Sequence, residues 1–206
     1  LLREMVNIYS PTGKERQITE FLAGYLLEHG LPVTQREVSE GRRNVEVRLG
    51  GGAPEVAFIG HIDTVPAFDI EHYEYEDREG EIFGLGTADM KGGCAAMIEA
   101  FVAARESGQC PANAALFLVV GEEEYGDGTA ALLEAMTFPW ALVAEPTDLV
   151  PCLGHYGYLE MLVRAFGRRR HASMAGREHN AIFHLLRMLL RLGGLLEADY
   201  PEAVMN

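Results

Sequence analysis

The chain has 206 residues, of which 48% are hydrophobic and 23% charged, and its formal net charge at pH 7 is −14. This composition is typical of a globular protein with one sizeable core and part of a second domain, and the acidic balance argues against binding to nucleic acid or to an anionic membrane. No apolar run reaches the roughly 18 residues of a membrane-spanning helix, because the longest, Ile182 to Leu196, contains a histidine and two arginines. Leu1 to Ser10 carries charges inside its short apolar stretch, so it is not interpreted as a signal peptide.

Apolar periodicity predicts helices and strands that alternate along most of the chain. Predicted helices cover residues 1–9, 15–29, 91–106, 128–136 and 180–192. Predicted strands cover residues 33–37, 44–49, 55–59, 114–120, 140–143 and 158–166, with a hairpin over 73–83 that turns at Glu79-Gly80. This order predicts an α/β fold: a mostly parallel mixed sheet with helices on both faces and some antiparallel edge strands.

The composition of the sequence changes near Leu153, where a glycine-rich stretch precedes a new strand candidate. We therefore predict a first domain at residues 1–153 and the beginning of a smaller α+β domain at residues 154–206. The three cysteines, Cys94, Cys110 and Cys152, show no metal-ligand spacing. Cys94 is predicted to be a packing residue, and a reducing, cytoplasmic setting is the simplest account of the cysteine content.

His61 follows an apolar strand candidate and has a carboxylate, Asp63, two positions further on. In a strand, two such side chains point to the same face of the sheet. A metal-binding imidazole has its second ring nitrogen held by an acceptor, which Asp63 could supply. A lone histidine near a strand end is more often an ordinary core or surface residue, so the pair depends on the acidic residues that follow.

Those acidic residues come in three clusters. Asp89 lies in a glycine-rich segment before a predicted helix, Glu122 to Glu124 follow the strand candidate 114–120, and Glu145 follows the strand candidate 140–143. Each cluster alone is also explained by helix capping or a solvated loop. In an open α/β sheet, however, the carboxyl ends of the strands meet at one edge, and carboxylates that converge there repel one another unless a cation lies between them. One imidazole with several carboxylates suits zinc, and also manganese or cobalt.

With these motifs the chain resembles the co-catalytic zinc hydrolases that include acetylornithine deacetylase, succinyl-diaminopimelate desuccinylase, aminoacylase and glutamate carboxypeptidase. The motifs that carry the resemblance are His61-x-Asp63-x-Val65-Pro66, Gly84-x-Gly86-x-x-Asp89-x-Lys91-Gly92, Glu122-Glu123-Glu124-x-Gly126, Glu145-Pro146-Thr147, Gly167-x-x-x-His171-Ala172-Ser173 and Asn180-Ala181. The resemblance implies two divalent metal ions, most often zinc. It implies that His61 and Glu145 bind the first ion, that Asp89 bridges both, and that Glu124 binds the second.

The resemblance also implies roles for residues that do not bind the metals. Asp63 would orient the imidazole, and Glu123 would be the general base that takes a proton from a metal-activated water. His171 would be the lid histidine that stabilises the oxyanion across the subunit boundary of a homodimer. The peptide bond between Asp89 and Met90 is expected to be cis.

The sequence departs from the family at one point, because the final metal-binding histidine of a C-terminal return segment is missing. The chain is therefore interpreted as a fragment that is inactive alone. The expected substrate is an N-acyl amino acid or a small peptide. The alternative is a catalytically silent binding module that retains the fold. A nucleotide-binding loop at Gly84-x-Gly86 is the weakest reading, since the third glycine of the dinucleotide motif is absent.

Overall fold

A computed structural model of the chain describes residues 1–67, 72–109, 113–154, 161–169, 171, 176 and 180–199. The chain divides into two compact units, Leu1–Cys152 and Leu153–Asn206. That these units are a catalytic domain and the beginning of a lid domain remains a prediction.

The described residues of the first unit alternate between helices and strands. Helices α1 to α4 span Leu2–Asn7, Arg16–Glu28, Gly92–Glu106 and Asp127–Ala135. Strands β1 to β7 span Val33–Ser39, Arg42–Arg48, Val56–His61, Glu76–Arg78, Glu81–Phe83, Ala114–Val119 and Trp140–Val143. A π-helical turn at Thr87–Lys91 leads into α3, and the peptide bond between Asp89 and Met90 is cis, as the resemblance implies.

Five strands form a mixed sheet in the order β1-β2-β6-β3-β7. β1 pairs with β2 and β2 with β6 in antiparallel fashion, whereas β3 pairs in parallel with both β6 and β7. The predicted hairpin is the separate pair β4–β5. Its turn residues Glu79 and Gly80 have φ values of 55° and 88°, the backbone conformation that two-residue hairpin turns require. The fold is thus the mixed α/β sheet that the sequence predicts.

The core lies on both faces of this sheet. All six residues of the central strand β6 are buried, which explains its uninterrupted apolar sequence. Leu116 and Leu118 pack in one cluster with residues of α2 and α3. Ala115, Phe117 and Val119 belong to a second cluster with Leu132 of α4. Because residues of alternating parity face opposite sides of a strand, helices cover both faces as predicted.

The second unit contains helix α5, Ala181–Asp199, which is longer than the predicted helix 180–192. The predicted strand 158–166 is wrong for residues 161–166, which have no regular secondary structure, and residues 158–160 lie outside the described part. A strand needs a hydrogen-bonded neighbour, and the described residues of this unit supply none. Among the described helices, none combines the length and apolar character needed to cross a bilayer.

Candidate metal centre

The candidate metal centre is built at the carboxyl ends of three neighbouring parallel strands. His61 is the last residue of β3, Glu122 and Glu123 follow β6, and Glu145 follows β7. Asp89 comes from the π-helical turn that precedes α3. Because β3 lies between β6 and β7, the sheet order places the histidine between the two acidic loops.

The side chains of these residues converge on the imidazole of His61. Its Nε2 atom lies 2.9 Å from Asp89 Oδ1, 3.7 Å from Glu145 Oε1 and 3.9 Å from Glu122 Oε2. His61, Asp89 and Glu123 each offer one ligand atom, and these three atoms lie within 4.8 Å of one another. Segments far apart in the sequence therefore bring nitrogen and carboxylate ligands to one place.

The other ring nitrogen of His61 fixes which atom is left to bind a cation. Nδ1 lies 3.0 Å from the carbonyl oxygen of Asp63 and 3.5 Å from its Oδ1 atom. Since both of these atoms are acceptors, Nδ1 carries the ring proton in the neutral imidazole, and Nε2 presents its lone pair to Asp89. A lone pair facing a carboxylate is repulsive unless a proton or a cation lies between them.

The pKa values of the cluster express this repulsion. Burial works to lower the pKa of His61, but hydrogen bonds with Asp63 and Asp89 outweigh it and raise the pKa to about 9. Burial and the charge of Asp89 raise the pKa of Glu145 to about 7, against the attraction of His61. Burial and Asp89 also raise the pKa of Glu123. The raised pKa values mean that these side chains hold protons more tightly, because a proton reduces the repulsion between them. A divalent cation would reduce the same repulsion, so this set of donor atoms fits a metal ion.

Asp63 connects the histidine to the acidic loop after β6. Its carboxylate is fully buried; Oδ1 accepts a hydrogen bond from the backbone N–H of Glu122 (3.1 Å). Oδ2 accepts hydrogen bonds from the N–H of Glu123 (3.2 Å) and from the hydroxyl of Thr12 (2.7 Å). Burial alone would raise the pKa of Asp63, but His61, Thr12 and the Glu123 N–H lower it. Asp63 therefore stays ionised and holds both ligand-bearing segments.

A buried amide shapes the same loop from its two ends. Asn44 Oδ1 accepts a hydrogen bond from the N–H of Val120 (3.1 Å), and its Nδ2 donates to the carbonyl of Gly128 (2.8 Å). Between them, Gly121 has a φ of 73°, and a Cβ atom there would collide with the guanidinium of Arg42. The conformation that presents Glu122 and Glu123 is thus determined by β2 as well as β6.

The Asp89 turn is anchored by a buried lysine. Lys91 Nζ donates hydrogen bonds to the carbonyls of Met5 (2.8 Å) and Ile8 (2.9 Å), and burial lowers its pKa to about 8. These bonds attach the end of α1 to the turn that carries Asp89. The sequence offered no signal for this contact beyond the presence of Lys91 in the motif.

Two predicted site residues are not placed in the cluster by the described contacts. Glu124 is exposed and does not belong to the group of His61, Asp89 and Glu123, whose ligand atoms lie within 4.8 Å of one another. Glu122, to which the sequence analysis gave no role, does approach His61. His171 is exposed and belongs to the second unit. The roles of Glu124 and His171 remain predictions. The acidic run signalled that some of its members reach the site, but its spacing alone could not say which.

Fold and site together define an α/β protein with a candidate metal centre at the carboxyl edge of a mixed sheet. Residues 57–186 match the family described as Peptidase family M20/M25/M40, and the chain belongs to this family. The resemblance stated from the sequence motifs is thereby confirmed.

Individual relatives bear two kinds of name. The chain is 30% identical over 191 residues to a probable succinyl-diaminopimelate desuccinylase of Staphylococcus epidermidis, covering 88% of this chain and 47% of the relative. It is 32% identical over 215 residues to a probable carboxypeptidase of Aspergillus terreus, covering 97% of this chain and 49% of the relative. The chain thus spans about half the length of the curated relatives that it matches.

Solved structures show the same fold. Human carnosine dipeptidase 1 superposes with a TM-score of 0.60 at 22% identity, over 70% of this chain and 37% of that one. The aminopeptidase PepT from Bacillus cereus superposes with a TM-score of 0.59 at 26% identity, over 69% of this chain and 41% of that one. The fold class predicted from the sequence is confirmed by these similarities.

Proposed function

We propose that this chain carries the metal-binding and proton-transfer residues of a hydrolase that cleaves an amide bond in an N-acyl amino acid or a small peptide. The observation that carries the proposal is the approach of Asp89 and Glu145 to His61 Nε2, at 2.9 and 3.7 Å. Family membership supports it, and a metal-dependent amide hydrolase accommodates relatives named as a desuccinylase and as a carboxypeptidase.

In this proposal His61, Asp89 and Glu145 hold a first divalent ion, and Asp89 and Glu124 hold a second. Zinc is the first choice because one imidazole with carboxylates suits it, and cobalt or manganese are alternatives. When bound, the ions would lower the pKa of a shared water and polarise the scissile carbonyl. Asp63 contributes by keeping the proton of the imidazole on Nδ1, so that Nε2 remains a ligand.

Glu123 is the proposed general base. Its partly buried carboxylate has a raised pKa, which brings it closer to neutral pH, where proton exchange with water and with a leaving amine is most efficient. The carboxylate would accept the proton of the attacking water and return it to the leaving nitrogen. The hydrogen bond from its own N–H to Asp63 fixes the backbone from which the side chain extends. His171 would donate to the oxyanion from the partner subunit of a homodimer.

Metal content and turnover measured together test this function. The full-length protein and its Glu123→Gln variant would be analysed for bound metals and assayed with N-acetyl and N-succinyl amino acids and with dipeptides. We expect about two divalent ions per subunit in both proteins, by analogy with two-metal hydrolases, and turnover only with Glu123 intact. A wild-type protein that binds no metal and hydrolyses none of these compounds would favour a silent binding module and refute the proposal.

A further inference from the structure

Among the described residues, no strand pairs with the main chain of His61 on the side away from β6. In a parallel sheet, successive residues of a strand direct their N–H and C=O groups alternately to the two neighbouring strands. The N–H of Ile62 donates to the carbonyl of Val119 in β6 (3.0 Å), so the preceding residue, His61, faces β7. The pairing of β3 with β7 ends two residues earlier, where Ile59 lies opposite Val143.

Two sulfur atoms occupy the place of the missing strand. The backbone N–H of His61 donates to Met90 Sδ (3.3 Å), and the thiol of Cys94 donates to the carbonyl of His61 (3.1 Å). Met90 and Cys94 are fully buried. Met90 directly follows Asp89, and Cys94 lies in the first turn of α3. The backbone N–H and C=O groups of His61 are therefore held by Met90 and Cys94, two side chains that closely follow Asp89 in the sequence.

Glycine permits this approach on the strand side. A Cβ atom on Gly60 would lie 2.6 Å from Cys94 Sγ, 2.8 Å from Met97 Cε and 3.0 Å from Met90 Cε, so these side chains would have to shift to accommodate it. A Cβ atom on Gly93 would likewise collide with the carbonyl of Ala144, the residue before Glu145. The beginning of α3 thus packs closely against the ends of both β3 and β7.

We propose that Met90 and Cys94 are positioning residues, whose sulfurs replace the absent strand partner of His61 and fix its backbone relative to Asp89. A thioether is a weak acceptor and a thiol a weak donor, but the buried groups that they satisfy would otherwise lose a hydrogen bond altogether. The consequence is the 2.9 Å approach of His61 Nε2 to Asp89. The inference rests on the proposed function, since positioning matters only if these side chains bind a metal.

Isosteric replacement of the sulfurs tests the inference in the full-length protein. Met90→Leu removes the acceptor at nearly constant volume, and Met97→Leu is the matched control, because Met97 is buried beside the same glycine but makes no described hydrogen bond to His61. Cys94→Ala removes the donor, whereas Cys94→Ser retains one. Amide hydrogen exchange of His61 in the metal-free protein and the dissociation constant for zinc are the two readouts.

We expect Met90→Leu to accelerate exchange of the His61 amide about tenfold and to weaken zinc binding by about tenfold, the lower end of the effect of supporting residues at metal sites. Cys94→Ala should weaken zinc binding and Cys94→Ser should restore it, while Met97→Leu leaves both readouts near wild type. Equal behaviour of Met90→Leu and Met97→Leu would overturn the inference. A wild-type protein that binds no zinc would refute the proposed function instead, and the exchange comparison would still decide whether Met90 holds the His61 amide.

Discussion

Replacing Asp63 by asparagine should disrupt the candidate metal centre without removing any proposed ligand. The buried carboxylate accepts hydrogen bonds from two backbone N–H groups, one on each oxygen. An amide has only one acceptor oxygen, so in either orientation its NH₂ group faces the N–H of Glu122 or of Glu123. One buried donor is left unsatisfied, which costs about 1–3 kcal/mol of folding free energy.

The same substitution should weaken metal binding by about 10- to 100-fold, the usual effect of losing a supporting contact at a metal site. The backbone carbonyl next to the imidazole is kept, so the loss would come from the carboxylate, which lies 3.5 Å from His61 Nδ1 and holds the loop of Glu122 and Glu123. Both parts of the prediction have a matched control in Asp77→Asn, which removes the same charge from the exposed hairpin β4–β5. Denaturant unfolding measures the stability, and competition with a chelator measures the metal affinity. If Asp63→Asn and Asp77→Asn agree within twofold in affinity and within about 0.5 kcal/mol in stability, the proposed role of Asp63 is wrong.

The difference in stability between the wild type and Asp63→Asn should depend on pH with a definite sign. The pKa of Asp63 is lowered in the folded protein, so its ionisation stabilises the fold above the pKa of the unfolded chain, about 4. That contribution is lost as the pH falls through the lower folded pKa. The stability advantage of the wild type over Asp63→Asn should therefore shrink in acid, and an advantage that grows below pH 4 would contradict the assignment.

Three further predictions follow from the other contacts of the site. Glu123→Gln should lower turnover at least about 100-fold with metal content unchanged, whereas Glu134→Gln on the exposed side of α4 should keep both; substantial activity without Glu123 would exclude it as the base. Protons compete with the metal for His61, whose pKa is about 9, and for Glu145, whose pKa is about 7. Apparent metal affinity should therefore fall about tenfold per pH unit below pH 9 and more steeply below pH 7. A constant affinity from pH 9 to pH 6 would contradict the assignment of these two residues as ligands. Asn44→Leu removes the acceptor of the buried N–H of Val120 and should cost about 1–3 kcal/mol in denaturant unfolding. A loss below about 0.5 kcal/mol would refute the anchoring role of this amide.

Local patterns in the sequence predicted most of the elements of the first unit. The strand at 140–143 has the predicted bounds, and the hairpin turn at Glu79-Gly80 was recognisable because glycine adopts positive φ at little cost. Periodicity reports only which residues are buried, however, and not which strands become neighbours. The position of β6 between β2 and β3 is therefore a property of the assembled sheet. The predicted strand 158–166 failed over 161–166 because strand propensity without a pairing partner does not determine structure.

The candidate site was predictable as a set of residue types at strand ends, but its supporting contacts were not. Asp63 was expected to share a strand face with His61, yet β3 ends at His61 and Asp63 contacts the ring mainly through its backbone carbonyl. The carboxylate of Asp63 accepts hydrogen bonds from the N–H groups of Glu122 and Glu123, which lie about 60 residues further along the sequence. The side chain of Asn44 accepts one from Val120 across an even longer separation. Contacts across such distances depend on the strand order, which no local spacing encodes.

Anomalous diffraction at the zinc absorption edge tests the central claim most directly. Crystals of the full-length protein grown with zinc should show an anomalous peak about 2.0–2.2 Å from both His61 Nε2 and a carboxylate oxygen of Asp89. Peaks found only elsewhere, with these two side chains in direct contact with each other, would show that this edge of the sheet is not a metal centre.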